Sequence, residues 1–180
     1  MTDQKIALRD QARHERSQEF IPRNFNVILK SPEILSASTI ASYLSYDLEP
    51  STAEINEAFL RDGKTLVLPR INGDQLEWVT WNGDRSQLSS KKKISEPIGE
   101  ALQDLSVIEA VIVPALRIDQ FGYRLGQGGG YYDRALAQLS AWKIGLIYAN
   151  ELITEALPRE DHDIPLDAAA SPSVVVRFNR

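Results

Sequence analysis

The chain predicts a three-layer α/β fold, organised as a single domain over residues 1–180, and three observations carry that expectation. Apolar runs of strand length alternate with segments of helical spacing along the chain. Ala110 to Pro114, AVIVP, is a continuous apolar run of the kind that fills the centre of a parallel sheet. The stretch from Val113 to Leu139, VPALRIDQFGYRLGQGGGYYDRALAQL, then passes from that strand through a glycine-packed loop into a helix. A ligand loop at the carboxyl end of a strand places the expected site at one edge of the sheet.

Taken in order, residues 4–18 read as a strongly charged helix whose few apolar anchors are Ile6, Ala7 and Leu8, a poor candidate for the core. Ser38 to Tyr46 fits a strand or a helix, and a strand is favoured. Ser51-Thr52-Ala53-Glu54 has the form of a capping box, and Ile55, Ala58 and Phe59 give the helix after it an apolar face until Gly63 ends it. Thr65 to Pro69 and Leu76 to Trp81 read as strands of a hairpin turning at Asn72-Gly73. Ser89 to Lys93 reads as a solvated loop. Tyr132, Ala135, Leu136 and Leu139 recur at helical spacing, so a helix is expected to start near Tyr131. Lys143 to Tyr148 and Ser173 to Phe178 supply two further strands.

Composition limits the function classes. The chain has 180 residues and a hydrophobic fraction of 43%, enough for a substantial core. A formal charge of −5 argues against broad nucleic-acid binding while leaving room for a local basic pocket. Without cysteine there is no thiolate nucleophile, disulfide or Cys-based zinc site. The first twenty residues carry no apolar signal region, and no run approaches the ~20 apolar residues of a membrane span, so a cytoplasmic, soluble protein is expected.

Gly126, Gly128, Gly129 and Gly130 crowd four of the ten glycines into five positions, where backbone N–H groups can approach an anion closely. The loop is not a Walker P-loop, because Tyr131-Tyr132-Asp133 stands where Gly-Lys-Ser/Thr is needed, and it is not a dinucleotide fingerprint, because residue 131 is Tyr. An anion loop flanked by a cation, Arg124, and an acid, Asp133, suits a nucleotide phosphate with its Mg²⁺; an ordinary strand-to-helix turn is the competing reading.

The run Gly122-Tyr-Arg-Leu-Gly-Gln-Gly-Gly-Gly-Tyr-Tyr-Asp-Arg134 closely resembles the signature of the 5-formyltetrahydrofolate cyclo-ligases, also called 5,10-methenyltetrahydrofolate synthetases. The resemblance continues through Lys5 and Arg9, Glu49 and Thr52, Ile94 to Pro97, and Leu157 to Asp167, in the family's order over almost the whole chain. It implies a Rossmann-like, mostly parallel sheet with helices on both faces. The pattern departs at Lys93, Glu109-Ala110, Glu151 and Ala170-Ser171-Pro172, none within the glycine loop.

The reaction implied by the resemblance closes 5-formyltetrahydrofolate to 5,10-methenyltetrahydrofolate with ATP and Mg²⁺. An N-formyl group is an amide and a poor electrophile; its oxygen takes the γ-phosphoryl group, N10 attacks the activated carbon, and phosphate leaves. Such chemistry depends on positioning and charge neutralisation, so it needs neither a Cys nor a Ser-His pair. Carried over residue by residue, Lys5, Arg9, Arg124, Leu125, Gly126, Gln127, Gly128, Gly129, Gly130, Tyr131 and Tyr132 would bind ATP. Glu49 would accept hydrogen bonds from the amino-pyrimidine edge of the pterin with Leu44 as an apolar wall, and Asp133 and Asp163 would hold Mg²⁺. A monomer acting on small molecules, without nucleic-acid or membrane partners, is expected. Two other readings use the same residues: an ATP-dependent ligase acting on another heterocycle, and a protein that holds folate or nucleotide without turnover.

Overall fold

The structure is a computed structural model that describes residues 3–91 and 94–179. Its helices are α1 (Asp3–Glu19), α2 (Pro32–Ser36), α3 (Ala53–Arg61) and α4 (Tyr131–Leu136). The strands are β1 (Thr39–Ala41), β2 (Thr65–Asn72), β3 (Gln75–Thr80), β4 (Leu88–Lys91), β5 (Ile94–Pro97), β6 (Ala110–Pro114), β7 (Arg117–Asp119), β8 (Arg124–Leu125), β9 (Trp142–Leu146), β10 (Leu152–Ile153), β11 (Ala168–Ala170) and β12 (Val175–Arg177).

The main sheet has the order β12-β11-β9-β6-β1-β2-β3. From β11 to β2 every neighbouring pair is parallel, and antiparallel β12 and β3 close the two edges. The mostly parallel α/β sheet is therefore as expected, with AVIVP at its centre. Alternation along the strands sorts the core into two faces. Ile40, Leu66, Leu68, Ile112 and Ile144 pack with Phe25, Ile28, Ile34 and the α3 residues Ile55 and Phe59. Ala41, Val67, Val111, Val113 and Ala169 lie on the other face with Ala135 and Leu136 of α4. Helices thus cover both sides of the sheet.

Several local expectations need correction. The strand expected over Ser38 to Tyr46 stops at Ala41, because the Tyr43 carbonyl is taken by the Thr52 hydroxyl at 2.6 Å and the Asn56 amide at 2.9 Å. The capping box does not form: Thr52, not Ser51, is the N-cap of α3, and its hydroxyl is spent on Tyr43. The other end of α3 is closed as read, with Gly63 N–H donating to the Leu60 carbonyl and Lys64 N–H to that of Phe59. The β2–β3 hairpin pairs Asn72 with Gln75, so Gly73-Asp74 makes the turn, one residue later than expected. Lys91 belongs to the β4–β5 hairpin rather than to a loop, while Lys92 and Lys93 lie outside the described residues. The two late strands are Trp142–Leu146 and Val175–Arg177, shorter than or shifted from the expected ranges, and β11 at Ala168–Ala170 was not anticipated.

Two corrections bear on the site. The glycine loop does not follow the central strand directly, because the β7–β8 hairpin stands between them and pairs with β10 in a separate small sheet. Helix α1 does not rest on Ile6, which is 41% exposed; its buried residues are Lys5, Arg9, Ala12 and Arg16, spaced along one helical face. An ionic face is buried because the surface beneath it is polar. Arg16 grips Glu151 through both carboxylate oxygens at 2.6 and 2.7 Å and also donates to the Ala115 carbonyl at 2.8 Å.

Candidate functional site

The candidate site is a cavity of about 490 Å³. Its walls include Tyr43 and Leu44 just beyond β1, Leu68 and Pro69 within β2, and Pro114 and Ala115 at the end of β6. The chain runs from β1 to β2 on one side and from β6 to β9 on the other, so the cavity opens at the switch point between β1 and β6 rather than at an edge of the sheet.

Every site residue expected from the sequence lines this one cavity: Lys5, Arg9, Leu44, Glu49, Arg124 to Asp133, and Asp163. Buried Leu125 anchors the loop at β8, where its carbonyl accepts from Leu116 N–H at 2.8 Å. The chain then turns with Gly128 at φ 107° and Gly130 at φ 66°, a backbone region that side chains disfavour, and enters α4 at Tyr131. Helix α4 has only six residues, so its dipole adds little at the loop, and Leu139 is buried beyond its end. Among the described residues, the amides of Gln127, Gly128, Gly129 and Gly130 donate to no protein acceptor.

Cations converge on this loop. Arg9 Nε donates to the Gly126 carbonyl at 2.8 Å, and its guanidinium lies beside Gly128. Arg124 is almost fully buried and splits its donors between the Ile164 carbonyl at 3.0 Å and Asp133 Oδ1 at 2.8 Å. Lys5 Nζ lies 2.7 Å from Asp163 Oδ2 and 3.4 Å from Glu160 Oε2. Burial acts to raise the Asp163 carboxyl, but the hydrogen bonds from Lys5 and the Glu160 amide outweigh it and hold the group below its ordinary range. Asp133 and Asp163 are thus brought into one cavity, each held by a cation.

The opposite wall is apolar and acidic. Tyr43, Leu44, Leu68, Pro69, Ile71 and Leu76 line the same cavity as Glu49, whose carboxylate accepts from the Tyr46 amide at 3.3 Å. Burial pushes the Glu49 carboxyl up to about 7. The Tyr132 phenol lies between the two walls: burial and then the field of Glu49 raise its proton affinity, and Arg124 opposes them. Tyr132 also meets Trp78 edge to face, which joins it to the core.

Some lining residues were not assigned from the sequence. Glu160 and His162 join Asp163 in a cluster whose potential ligand atoms lie within 4.8 Å of one another. Glu96 is buried in the wall and accepts from Ile71 N–H at 2.9 Å. Arg134 in the lining reaches the Gly129 carbonyl, and Arg13, outside the lining, reaches the Gln127 carbonyl and side chain. The signal for Arg13 was available, since it follows Arg9 by one helical turn.

Comparison with known proteins agrees with this geometry. The model of the 5-formyltetrahydrofolate cyclo-ligase family matches residues 2–172. The 5-formyltetrahydrofolate cyclo-ligase of Escherichia coli K12 is 32% identical over 169 residues, covering 89% of this chain and 92% of that protein. The cyclo-ligase of Mycolicibacterium smegmatis is 29% identical over 148 residues, covering 77% and 75%. The NMR structure of Aquifex aeolicus 5,10-methenyltetrahydrofolate synthetase superposes with a TM-score of 0.82 at 27% identity, over 98% of this chain and 93% of that one. With the family model matched over residues 2–172 and likeness in sequence and fold over most of the chain, the chain belongs to the 5-formyltetrahydrofolate cyclo-ligase family.

Proposed function

We propose that this protein, acting as one domain and as a monomer in the cytoplasm, closes 5-formyltetrahydrofolate to 5,10-methenyltetrahydrofolate with conversion of ATP to ADP and phosphate. The observation that carries the proposal is the division of one cavity into a cationic, amide-rich wall and an apolar wall bearing Glu49. Triphosphate belongs at the first, where Lys5, Arg9, Arg124 and the amides of Gly126 to Gly130 supply charge and donors. The reduced pterin belongs at the second, its amino-pyrimidine donors on the Glu49 carboxylate and its ring against Leu44.

Between the walls the N5-formyl oxygen meets the γ-phosphorus. An O–P bond forms as the bond to ADP breaks, N10 adds to the formyl carbon and loses its proton, and the C–O bond breaks with departure of phosphate. The protein supplies alignment and neutralises the migrating charge, consistent with the absence of any cysteine. Mg²⁺ suits the hard oxygen donors here: Asp163, clustered with Glu160 and His162, and Asp133 in the same cavity would hold it, and it would neutralise phosphate charge. No helix among the described residues is long and apolar enough to cross a membrane, and the net charge of −5 supports small-molecule rather than nucleic-acid partners.

Incubation with ATP, Mg²⁺ and 5-formyltetrahydrofolate should yield the near-ultraviolet absorbance of the methenyl product together with stoichiometric ADP, and excess chelator should stop both. Binding without ADP release would instead favour a carrier, and turnover unaffected by chelator would remove the metal.

Glu49 supplies a second test. Below about pH 7 its carboxyl is mostly protonated in the ligand-free protein, whereas a ligand offering two N–H donors favours the ionised form. Folate binding at pH 7 should therefore release about half a proton per site, and none near pH 9. Calorimetry in buffers of different ionisation enthalpy reads this directly, and a buffer-independent enthalpy at pH 7 would take Glu49 out of the pterin contact.

A further inference from the structure

Asp119 is fully buried and carries four hydrogen bonds, yet it lies outside the cavity. Its two oxygens serve different segments. Oδ1 accepts from Phe121 N–H and Tyr123 N–H, both at 2.9 Å, and so shapes the turn that leads into Arg124. Oδ2 accepts from Leu157 N–H at 3.0 Å and from Arg159 Nη2 at 3.4 Å, at the start of the segment that delivers Glu160 and Asp163. Arg159 completes the joint by stacking over Tyr123 at 4.0 Å and Phe121 at 4.7 Å.

The same two segments meet again a few residues on. Leu166 N–H donates to the Gly122 carbonyl at 2.8 Å, and with Gly122 at φ +84° a Cβ there would come within 2.6 Å of the Leu166 carbonyl oxygen. Between these two ties, Arg124 donates to the Ile164 carbonyl and Ile164 N–H to Asp133. The relative placement of the Arg124–Asp133 pair and the Lys5–Asp163 pair is thus set by a junction whose buried charged member is Asp119.

We propose that Asp119 is a positioning residue for nucleotide use: one carboxylate holds the glycine-loop hairpin and the Glu160–Asp163 segment at the separation that the triphosphate needs. Its first oxygen fixes the loop side and its second fixes the carboxylate side, while the Glu49 wall has no bond to it. The proposal rests on the ATP-dependent reading above.

Asp119→Asn separates the two links. The amide oxygen can still accept from Phe121 and Tyr123, but its NH₂ then faces the Leu157 and Arg159 donors, so only the tie to the later segment is broken. With wild-type turnover first established, the variant should show KM for ATP raised tenfold or more and a lower kcat, with KM for the folate within twofold of wild type. Both KM values rising together, or a fall in Tm with both unchanged, would overturn the proposal by making Asp119 a general stabiliser. Absence of turnover in the wild type would instead overturn the underlying reading. If Asp119→Asn does not accumulate as folded protein, Arg159→Met, which keeps a stem over Tyr123 but removes the bond to Asp119, should raise KM for ATP alone by two- to threefold; an unchanged ratio of the two KM values there also overturns it.

Discussion

Arg124→Ala should lower kcat/KM for ATP by about a hundredfold or more, the largest single effect expected in this protein. The guanidinium is almost fully buried, and in the free protein it already compensates Asp133 and the Ile164 carbonyl. Removing it deletes a charge-assisted contact to phosphate, worth about 1.5–3 kcal/mol, and also leaves Asp133 without its cation. The second loss adds to the first because an uncompensated carboxylate repels triphosphate. Arg124→Lys should fall in between, since one ammonium cannot reproduce the planar fork that spans two acceptors. Steady-state kinetics with each substrate varied in turn checks this; unchanged ATP kinetics in the alanine variant would remove Arg124 from the nucleotide site.

Glu49→Gln should raise KM for the folate by roughly tenfold or more while KM for ATP stays nearly constant. The swap keeps the size but turns one acceptor oxygen into a donor that faces the donors of the pterin. Glu49 lines the cavity and is not the N-cap of α3, which is Thr52. The variant should also lose a pH dependence of stability. The folded protein holds the Glu49 proton up to about pH 7, whereas an ordinary carboxyl loses it near 4.5. This group therefore favours folding below about pH 4.5, and that contribution declines as pH rises to 7. Thermal melts of wild type and variant across that range, with folate KM alongside, separate the roles: a melting difference with unchanged folate KM would withdraw Glu49 from the substrate site.

What was legible in the sequence was whatever local chemistry dictates. AVIVP is apolar at every position before its proline and had to be buried on both faces, and four glycines in five positions before an amphipathic run announce a loop and a helix. Helix α1 was legible as a helix and as a poor fit to the apolar core, but the extent of its burial was not, because periodicity detects apolar faces and the face buried here is Lys5, Arg9, Ala12 and Arg16. Its partners, Gly126, Glu151 and Asp163, lie more than a hundred residues away and leave no local trace. Strands of two or three residues, such as β7, β8 and β10, are too short for a period to show, so the hairpin that carries the loop went unseen and Asp119 with it. Glu151 appeared only as a departure from a family pattern, and its meaning emerges with Arg16 opposite it.

The ionic underside of α1 also has a consequence for the order in which the molecule is assembled. Lys5 is held by residues 155 and 158 positions later, Arg9 by one 117 later and Arg16 by one 135 later. A chain leaving the ribosome therefore exposes Lys5, Arg9 and Arg16 long before the groups that hold them have been synthesised, and with so few apolar groups the helix has little else to dock on. The sheet can close early from β1 to β9, but Lys5 waits for Glu160 and Asp163 in the last quarter of the chain. The contacts that seat Lys5 and Arg16 form only once the segment from Glu151 to Asp163 is in place.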